Sequence, residues 1–193
     1  MNKSIELSKS SEIGEIGAGF GRMAQCLIKL SKKIKKYTII DITEVLSLSP
    51  IYLEKVLNRD KYKNLRFINA LTLSGKSNDF SLCDLVINID SFQEMPKETI
   101  KYYYENVINK ATYFYTKNAV GIYDINPEEL QDAFSLGLST EIVDIFNVSE
   151  LEIVRKKHVV QYHTSKVHVV ISREPLGIFP CYHNVLYGLN NSL

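Results

Sequence analysis

The chain has 193 residues, of which 45% are hydrophobic and 23% charged, and a formal net charge of +1. This composition is typical of a soluble globular domain, and the near-neutral charge argues against binding to nucleic acid or membranes by bulk electrostatics. No apolar stretch approaches the roughly 20 residues of a membrane helix, and the N-terminus lacks the apolar segment of a signal peptide. The three cysteines are far apart and predict neither a zinc site nor a disulfide framework, so we expect a cytoplasmic protein without membrane insertion.

Strands and helices alternate through the first part of the chain. Short runs rich in β-branched and aromatic residues predict five strands, at residues 13–16, 37–42, 66–70, 84–90 and 111–116. Apolar residues at helical spacing predict helices at residues 22–34, at 43–58 with a break near Pro50, and at 96–109. The buried positions predicted for the first helix are Met23, Leu27, Leu30 and Ile34. Strand–helix alternation with short connections predicts a parallel sheet covered by helices on both faces.

The pattern changes after the fifth strand. Residues 118–150 are predicted to be irregular apart from a helix that begins at Pro127. Predicted strands at 157–162 and 167–173 lie so close in sequence that they favour an antiparallel hairpin, and residues 174–193 are predicted to wrap irregularly. The fold class is therefore α/β, a three-layer Rossmann-like single domain that is mostly parallel with a C-terminal antiparallel hairpin.

Lysines cluster around the C-terminal end of the first predicted helix. They are Lys29, Lys32, Lys33, Lys35 and Lys36. Such a cluster either binds nucleic acid or forms a solvated helix face, where cations complement the helix dipole. We favour the solvated face and predict no nucleic-acid partner.

The most specific motif is the glycine turn, residues 15–22, where the first strand meets the first helix. Its sequence, EIGAGFGR, has the spacing acid-x-Gly-x-Gly-x-Gly. Glycines let a backbone approach a ligand closely, and a helix N-terminus offers free N–H groups. The dinucleotide fingerprint G-x-G-x-x-G would need a glycine where Arg22 stands, which argues against a bound pyrophosphate.

Polar residues end the next predicted strands. Asp41 ends the second strand, where an acid binds both ribose hydroxyls of a nucleoside cofactor; the alternative is a surface carboxylate that caps the next helix. Asp90 and Ser91 end the fourth strand, and an acid there could also cap the following helix. The strand ends and the glycine turn together predict a nucleoside-binding edge.

The spacing of the glycine turn resembles the first motif of class I S-adenosylmethionine-dependent methyltransferases. Residues 12–118 more specifically resemble sugar O-methyltransferases encoded in bacterial surface-polysaccharide clusters. The matching blocks are EIGAGFGR at 15–22, IDITEVLSLSPIYL at 40–53, NIDSFQEM at 88–95 and YFYTKN at 113–118. Members of that family usually carry a substantial region before the first motif, and this chain has almost none. We therefore expect a fragment, a reduced acceptor lobe, or a lobe supplied in trans.

The resemblance implies S-adenosylmethionine as cofactor and a methyltransferase domain over residues 1–193. Asn69, which ends the third strand, lies where such enzymes contact adenine, although it could equally be a loop asparagine. The cofactor-binding residues implied are Glu15, Gly17, Ala18, Gly19, Phe20, Gly21, Asp41, Ile42, Asn69, Asp90 and Ser91. The acceptor implied is a hydroxyl of a sugar or surface-polysaccharide precursor.

Two residues are candidates for the general base that a sugar hydroxyl needs before it attacks a methyl group. Glu94 lies in the NIDSFQEM block, and its alternative role is to complement the dipole of the next helix. His163 closes a predicted hairpin strand, and its alternative is a surface turn histidine. Asp90 and Glu94 could share a divalent cation, but two carboxylates without a third ligand are a weak signal, and we predict no metal.

The sequence also allows other hypotheses about the function. The acceptor could be another small molecule, or the chain could be a truncated or non-catalytic methyltransferase-like domain that serves as a partner subunit. A homo-oligomer is an additional partner hypothesis. Cofactor binding discriminates among these readings, because a non-catalytic domain need not bind S-adenosylmethionine.

Overall fold

The computed structural model describes residues 11–74, 80–92, 95, 97–119, 153–154, 159–160, 168–176 and 179–189. The strands in these ranges are β1 Ser11–Ile16, β2 Ile34–Asp41, β3 Leu65–Asn69, β4 Cys83–Ile89, β5 Ala111–Ala119, β6 Ile153–Val154, β7 Val159–Val160, β8 His168–Leu176 and β9 Phe179–Leu189. The α-helices are α1 Arg22–Leu30, α2 Thr43–Leu46, α3 Ser49–Val56, α4 Arg59–Tyr62 and α5 Lys97–Asn106. Short 3-10 helices follow β3, at Ala70–Ser74, and precede β5, at Ile108–Lys110.

Seven strands form one sheet in the order β3-β2-β1-β4-β5-β9-β8. The first five strands are parallel, while β9 runs antiparallel to both β5 and β8. The predicted α/β class, mostly parallel with a C-terminal antiparallel pair, is confirmed. Because β2 and β4 lie on opposite sides of β1, the strand order reverses there, and in open α/β sheets such a switch point forms the ligand crevice.

Apolar side chains are buried on both faces of the sheet. One cluster joins Ile16, Val86 and Phe114 of the sheet to Ile100 and Tyr103 of α5. The cluster on the other face is formed by Ile13, Ile39, Ala24, Ile28 and Leu53, from β1, β2, α1 and α3. This burial on both faces explains why the parallel strands are continuous apolar runs in the sequence.

The two strands that were predicted to form a C-terminal hairpin do not pair with each other. The strand predicted at 167–173 is present as β8, but it pairs with β9, which lies in the tail that was predicted to be irregular. In the segment predicted at 157–162, the described residues 159–160 form β7, which pairs with β6. Pro175 contributed to the prediction of an irregular tail. It is tolerated in β8 because β8 is an edge strand, in which a residue without an N–H need not cost a hydrogen bond to a neighbouring strand. The helix predicted from Pro127 lies outside the described residues.

The first helix is shorter than predicted. It ends at Leu30, and Ile34, predicted on its buried face, instead begins β2. Leu30 is 84% exposed, and the helix buries Ala24 and Ile28 instead. One of the clustered lysines, Lys36, lies in β2 with its Nζ 3.0 Å from Glu12 Oε2. Within the described ranges, no helix is long and apolar enough to span a membrane.

Candidate functional site

The predicted ligand residues that the structure describes lie at one edge of the sheet, where the parallel strands β1 to β4 end. The glycine turn follows β1, Asp41 ends β2, Asn69 ends β3, and Asp90 follows β4. Gly17 N donates to Ile40 O over 2.9 Å, so the start of the turn is fixed to the neighbouring strand. The strand ends therefore converge on the switch point of the sheet.

All three glycines of the turn have positive φ angles, namely 70° at Gly17, 55° at Gly19 and 84° at Gly21. L-residues rarely adopt this region, so the backbone path itself requires glycine. A hydrogen bond of 2.9 Å from Gly21 N to Ala18 O closes the turn. Gly21 then caps α1, where no side chain caps the free N–H groups.

Only Gly19 faces open space. A Cβ on Gly17 would lie 2.2 Å from Ser91 Oγ, and one on Gly21 would lie 2.6 Å from Leu53 Cδ1. A Cβ on Gly19 would have nothing within 4 Å among the described residues. Gly17 and Gly21 are thus required by contacts within the protein, whereas Gly19 leaves room for a ligand.

The Asp41 carboxylate fastens the turn to the end of β2. Its Oδ2 accepts a hydrogen bond from Gly19 N over 3.0 Å, and its Oδ1 accepts one from Ile42 N over 2.8 Å. Burial raises the pKa of Asp41, and these backbone N–H groups oppose that rise. Asp41 therefore holds Gly19 in place through its carboxylate.

Glu15 is buried near the end of β1, two residues before the first glycine of the turn. Only 4% of the residue is exposed, and Tyr37 Oη donates a hydrogen bond to Glu15 Oε2 over 2.7 Å. Burial raises the pKa of Glu15 to about 7, with a smaller rise from the nearby charge of Asp41, while the Tyr37 hydrogen bond acts in the opposite direction. Glu15 thus links the end of β1 to Tyr37 of β2 as a buried acid whose pKa is raised.

Apolar side chains flank the open part of the edge. Phe20 is 58% exposed and Ile42 is 48% exposed, although both are large and hydrophobic. Asn69 donates from Nδ2 to Thr43 Oγ1 over 2.8 Å and accepts from Leu71 N over 3.0 Å. Apolar surface beside an acid and glycine backbone suits a flat ring with an attached hydroxylated sugar.

A strained turn follows β4. Asp90 is the one residue other than glycine with a positive φ, 56°, in the described part of the chain. Its Oδ2 lies 3.5 Å from Lys117 Nζ, and its Oδ1 is buried without a hydrogen-bond partner among the described residues. Ser91 is close to both Gly17 and β1, because its Oγ donates to Ile16 O over 3.3 Å. This turn, residues 90–92, therefore forms the wall of the candidate site on the side of β4.

Both candidate bases, Glu94 and His163, lie outside the described residues. Arg22 is the first residue of α1 and is exposed, so its bulk does not block the packing of helix against strand. The steric argument against a dinucleotide therefore fails at this position. No three His, Cys, Asp or Glu side chains cluster as a metal site among the residues that the structure describes.

Sequence reasoning missed Asn88 and Asn118, which are buried behind the wall at the ends of β4 and β5. Asn118 Nδ2 donates to Asn88 Oδ1 over 2.7 Å. A polar residue in an otherwise apolar strand, such as Asn88 in LVINI, was the available signal. Their pairing could not be predicted because it depends on the register between two strands.

The fold is similar to solved methyltransferase structures. The methyltransferase domain of bacterial CtHen1 is 13% identical with a TM-score of 0.58, and the match covers 93% of this chain and 90% of that one. TrmK of M. capricolum, solved with the cofactor product S-adenosyl-homocysteine, is 14% identical with a TM-score of 0.54, covering 96% and 64%. An O-methyltransferase family 2 protein from Planctomyces limnophilus, in complex with apigenin, is 12% identical with a TM-score of 0.58, covering 98% and 54%.

Identities this low show the fold alone, which is a Rossmann-like methyltransferase fold. This chain spans 64% of the TrmK chain and 54% of the P. limnophilus chain. No family model matches the sequence, and no curated protein matches it.

Proposed function

We propose that the chain is an S-adenosylmethionine-dependent O-methyltransferase that acts on a hydroxyl of a small molecule, specifically a sugar or surface-polysaccharide precursor. The observation that carries the proposal is the pairing of Gly19 with Asp41 at the switch point of a methyltransferase-type sheet. Gly19 leaves open space, and the Asp41 carboxylate fixes its N–H at 3.0 Å. The product complex of TrmK supports the cofactor, and the sequence blocks support the sugar acceptor.

The residues at the edge fit such a cofactor. Asp41 would accept hydrogen bonds from the ribose hydroxyls, Gly19 would let the backbone approach the ligand, and Phe20 and Ile42 would contact apolar parts of the nucleoside. Glu15, which is buried, would hold the end of β1 against β2 through Tyr37. The other residues proposed for the cofactor are Gly17, Ala18, Gly21, Asn69, Asp90 and Ser91.

S-adenosylmethionine, when bound, supplies an electrophilic methyl group on a positively charged sulfur. The chain must then position the acceptor oxygen and take its proton, because a neutral sugar hydroxyl is a poor nucleophile. Glu94 and His163 remain the proposed bases. If Glu94→Gln and His163→Ala both leave methyl transfer to a sugar acceptor unchanged, that assignment is wrong.

Calorimetric titration of the full chain with S-adenosyl-homocysteine, S-adenosylmethionine and NAD tests the cofactor directly. We expect the two sulfur nucleosides to bind and NAD not to bind; binding of NAD alone would overturn the proposal. Asp41→Asn should weaken S-adenosyl-homocysteine binding by about tenfold or more, since hydrogen bonds to charged groups are worth more than neutral ones. Asp60→Asn, at an exposed acid paired with Lys63, is the matched control and should leave binding unchanged.

A second candidate is a non-catalytic methyltransferase-like subunit that works with a partner. A folded chain that binds neither sulfur nucleoside would support this candidate over the enzyme.

A further inference from the structure

Asn88 and Asn118 form a buried amide pair behind the turn that follows β4. They are 0% and 3% exposed, respectively, and are joined by the hydrogen bond from Asn118 Nδ2 to Asn88 Oδ1. Asn118 Nδ2 also donates to Thr116 Oγ1 over 2.6 Å. A buried polar network of this kind specifies one arrangement, because each amide left without a partner would be costly.

The pair holds the turn on both sides. Asn88 Nδ2 donates to Ile16 O over 3.0 Å and also to Ser91 Oγ, which links β4 to the end of β1. Asn118 Oδ1 accepts a hydrogen bond from Phe92 N over 3.2 Å. The main chain between these two points is held as well, since Asp90 N donates to Lys117 O over 2.9 Å. Three successive residues of the turn are therefore fixed to neighbouring strands.

This fixation maintains an unfavourable conformation. Asp90 has a φ of 56°, which a residue with a side chain adopts only when its surroundings determine it. The Asp90 side chain remains 44% exposed at the sheet edge, and Ser91 packs against Gly17 of the glycine turn. The amide pair thus sets the position of the wall opposite Asp41 before any ligand arrives.

We infer that Asn88 and Asn118 are positioning residues, which act through the Asp90–Phe92 turn to preset the nucleoside site. The inference rests on the proposed function, because it names the residues that organise the same site. Asn118 is the better position for a test, because its amide accepts a hydrogen bond from Phe92 N of the turn. Thr116, on the same strand, accepts a hydrogen bond from the amide and is a matched control.

The experiment is calorimetric titration of the full chain with S-adenosyl-homocysteine, at a temperature where each variant is folded by circular dichroism. Asn118→Ala should weaken binding by about tenfold or more, because it releases the turn. Thr116→Val, which removes one partner of the amide but not its bond to the turn, should stay within about twofold of the wild type. Ile34→Ala lowers stability at the first residue of β2, at the opposite end of the parallel strands from the turn, and should likewise retain binding.

The results of these titrations distinguish a positioning role from a general loss of stability. Unchanged binding by Asn118→Ala, or equal losses in Asn118→Ala and Ile34→Ala, would overturn the inference, since binding would then not depend on the amide or would only follow stability. If Asn118→Ala does not fold, Asn118→Leu keeps a side chain of similar size but removes the acceptor for Phe92 N, and it should bind more weakly than Thr116→Val. If the wild-type chain does not bind at all, the proposed function fails, and the inference fails with it.

Discussion

Glu15 is a buried carboxylic acid, and its protonation ties the stability of the protein to pH. Its folded-state pKa of about 7 lies above the ordinary value of 4.5 for an exposed glutamate, so the folded state keeps the proton to higher pH than the unfolded state. The stability that the protonated Glu15 side chain contributes is therefore fully present below about pH 4.5 and is lost as the pH rises through about 7. Between these limits the difference amounts to about 3 kcal/mol of unfolding free energy.

Glu15→Gln removes this titration while keeping an acceptor for Tyr37 Oη. We expect the variant to gain stability relative to the wild type as the pH rises from 5 to 8, by up to about 3 kcal/mol in urea unfolding. Glu12→Gln is the matched control, because Glu12 lies on the same strand with its side chain 40% exposed and paired with Lys36. A constant difference between Glu15→Gln and the wild type across this range would show that Glu15 ionises normally.

The glycine turn, taken as one element, combines two structural glycines with one that faces the open site. Gly19→Ala places a methyl group in open space, so it should lower stability by only about 1–2 kcal/mol, the cost of the left-handed conformation. The same methyl group should weaken S-adenosyl-homocysteine binding by about tenfold or more in a calorimetric titration. Binding equal to that of the wild type would mean that the ligand does not approach Gly19.

Gly17→Ala should act on the fold first, because its Cβ would overlap Ser91 Oγ and Cβ, at 2.2 and 2.4 Å. We expect a loss of about 3 kcal/mol in thermal or urea unfolding, from overpacking added to the left-handed conformation. Ser91→Gly removes both overlapping atoms, so the double variant should recover at least about 1 kcal/mol beyond additivity. Purely additive losses would contradict the close contact between Gly17 and Ser91.

Elements with local signals could be predicted from the sequence, and pairings between distant elements could not. The strand–turn–helix at Gly17 to Gly21 follows from neighbouring residues, and so do the polar residues at the strand ends. In contrast, β9 was missed because a segment with Pro180 and Gly188 becomes a strand only when β5 and β8 pair with it on either side. The different roles of the three glycines also depended on tertiary neighbours, Ser91 and Leu53, which no local pattern reveals.

At the scale of the whole molecule, the last strand belongs to the same core as the first two. Tyr187 of β9 is 3% exposed and stacks on Phe114 of β5, with ring centroids 5.5 Å apart. The same cluster contains Ile16 of β1 and Ile40 of β2. A shared core on one sheet favours a single cooperative unfolding transition. Loss of the packing of β9 would then destabilise the whole of the described fold.

Tyr187→Ala tests this cooperativity. Removing a buried aromatic ring should lower stability by about 4 kcal/mol, and the far-UV and near-UV circular dichroism transitions should shift together. Leu189→Ala, in the same strand but 42% exposed, should change stability by less than about 0.5 kcal/mol. If the near-UV signal of the variant is lost well before the far-UV signal, then β9 packs on the sheet as a separate unit. The ligand edge formed by β1 and β2 would in that case retain S-adenosyl-homocysteine binding in the variant, whereas a cooperative fold loses binding and secondary structure in one step.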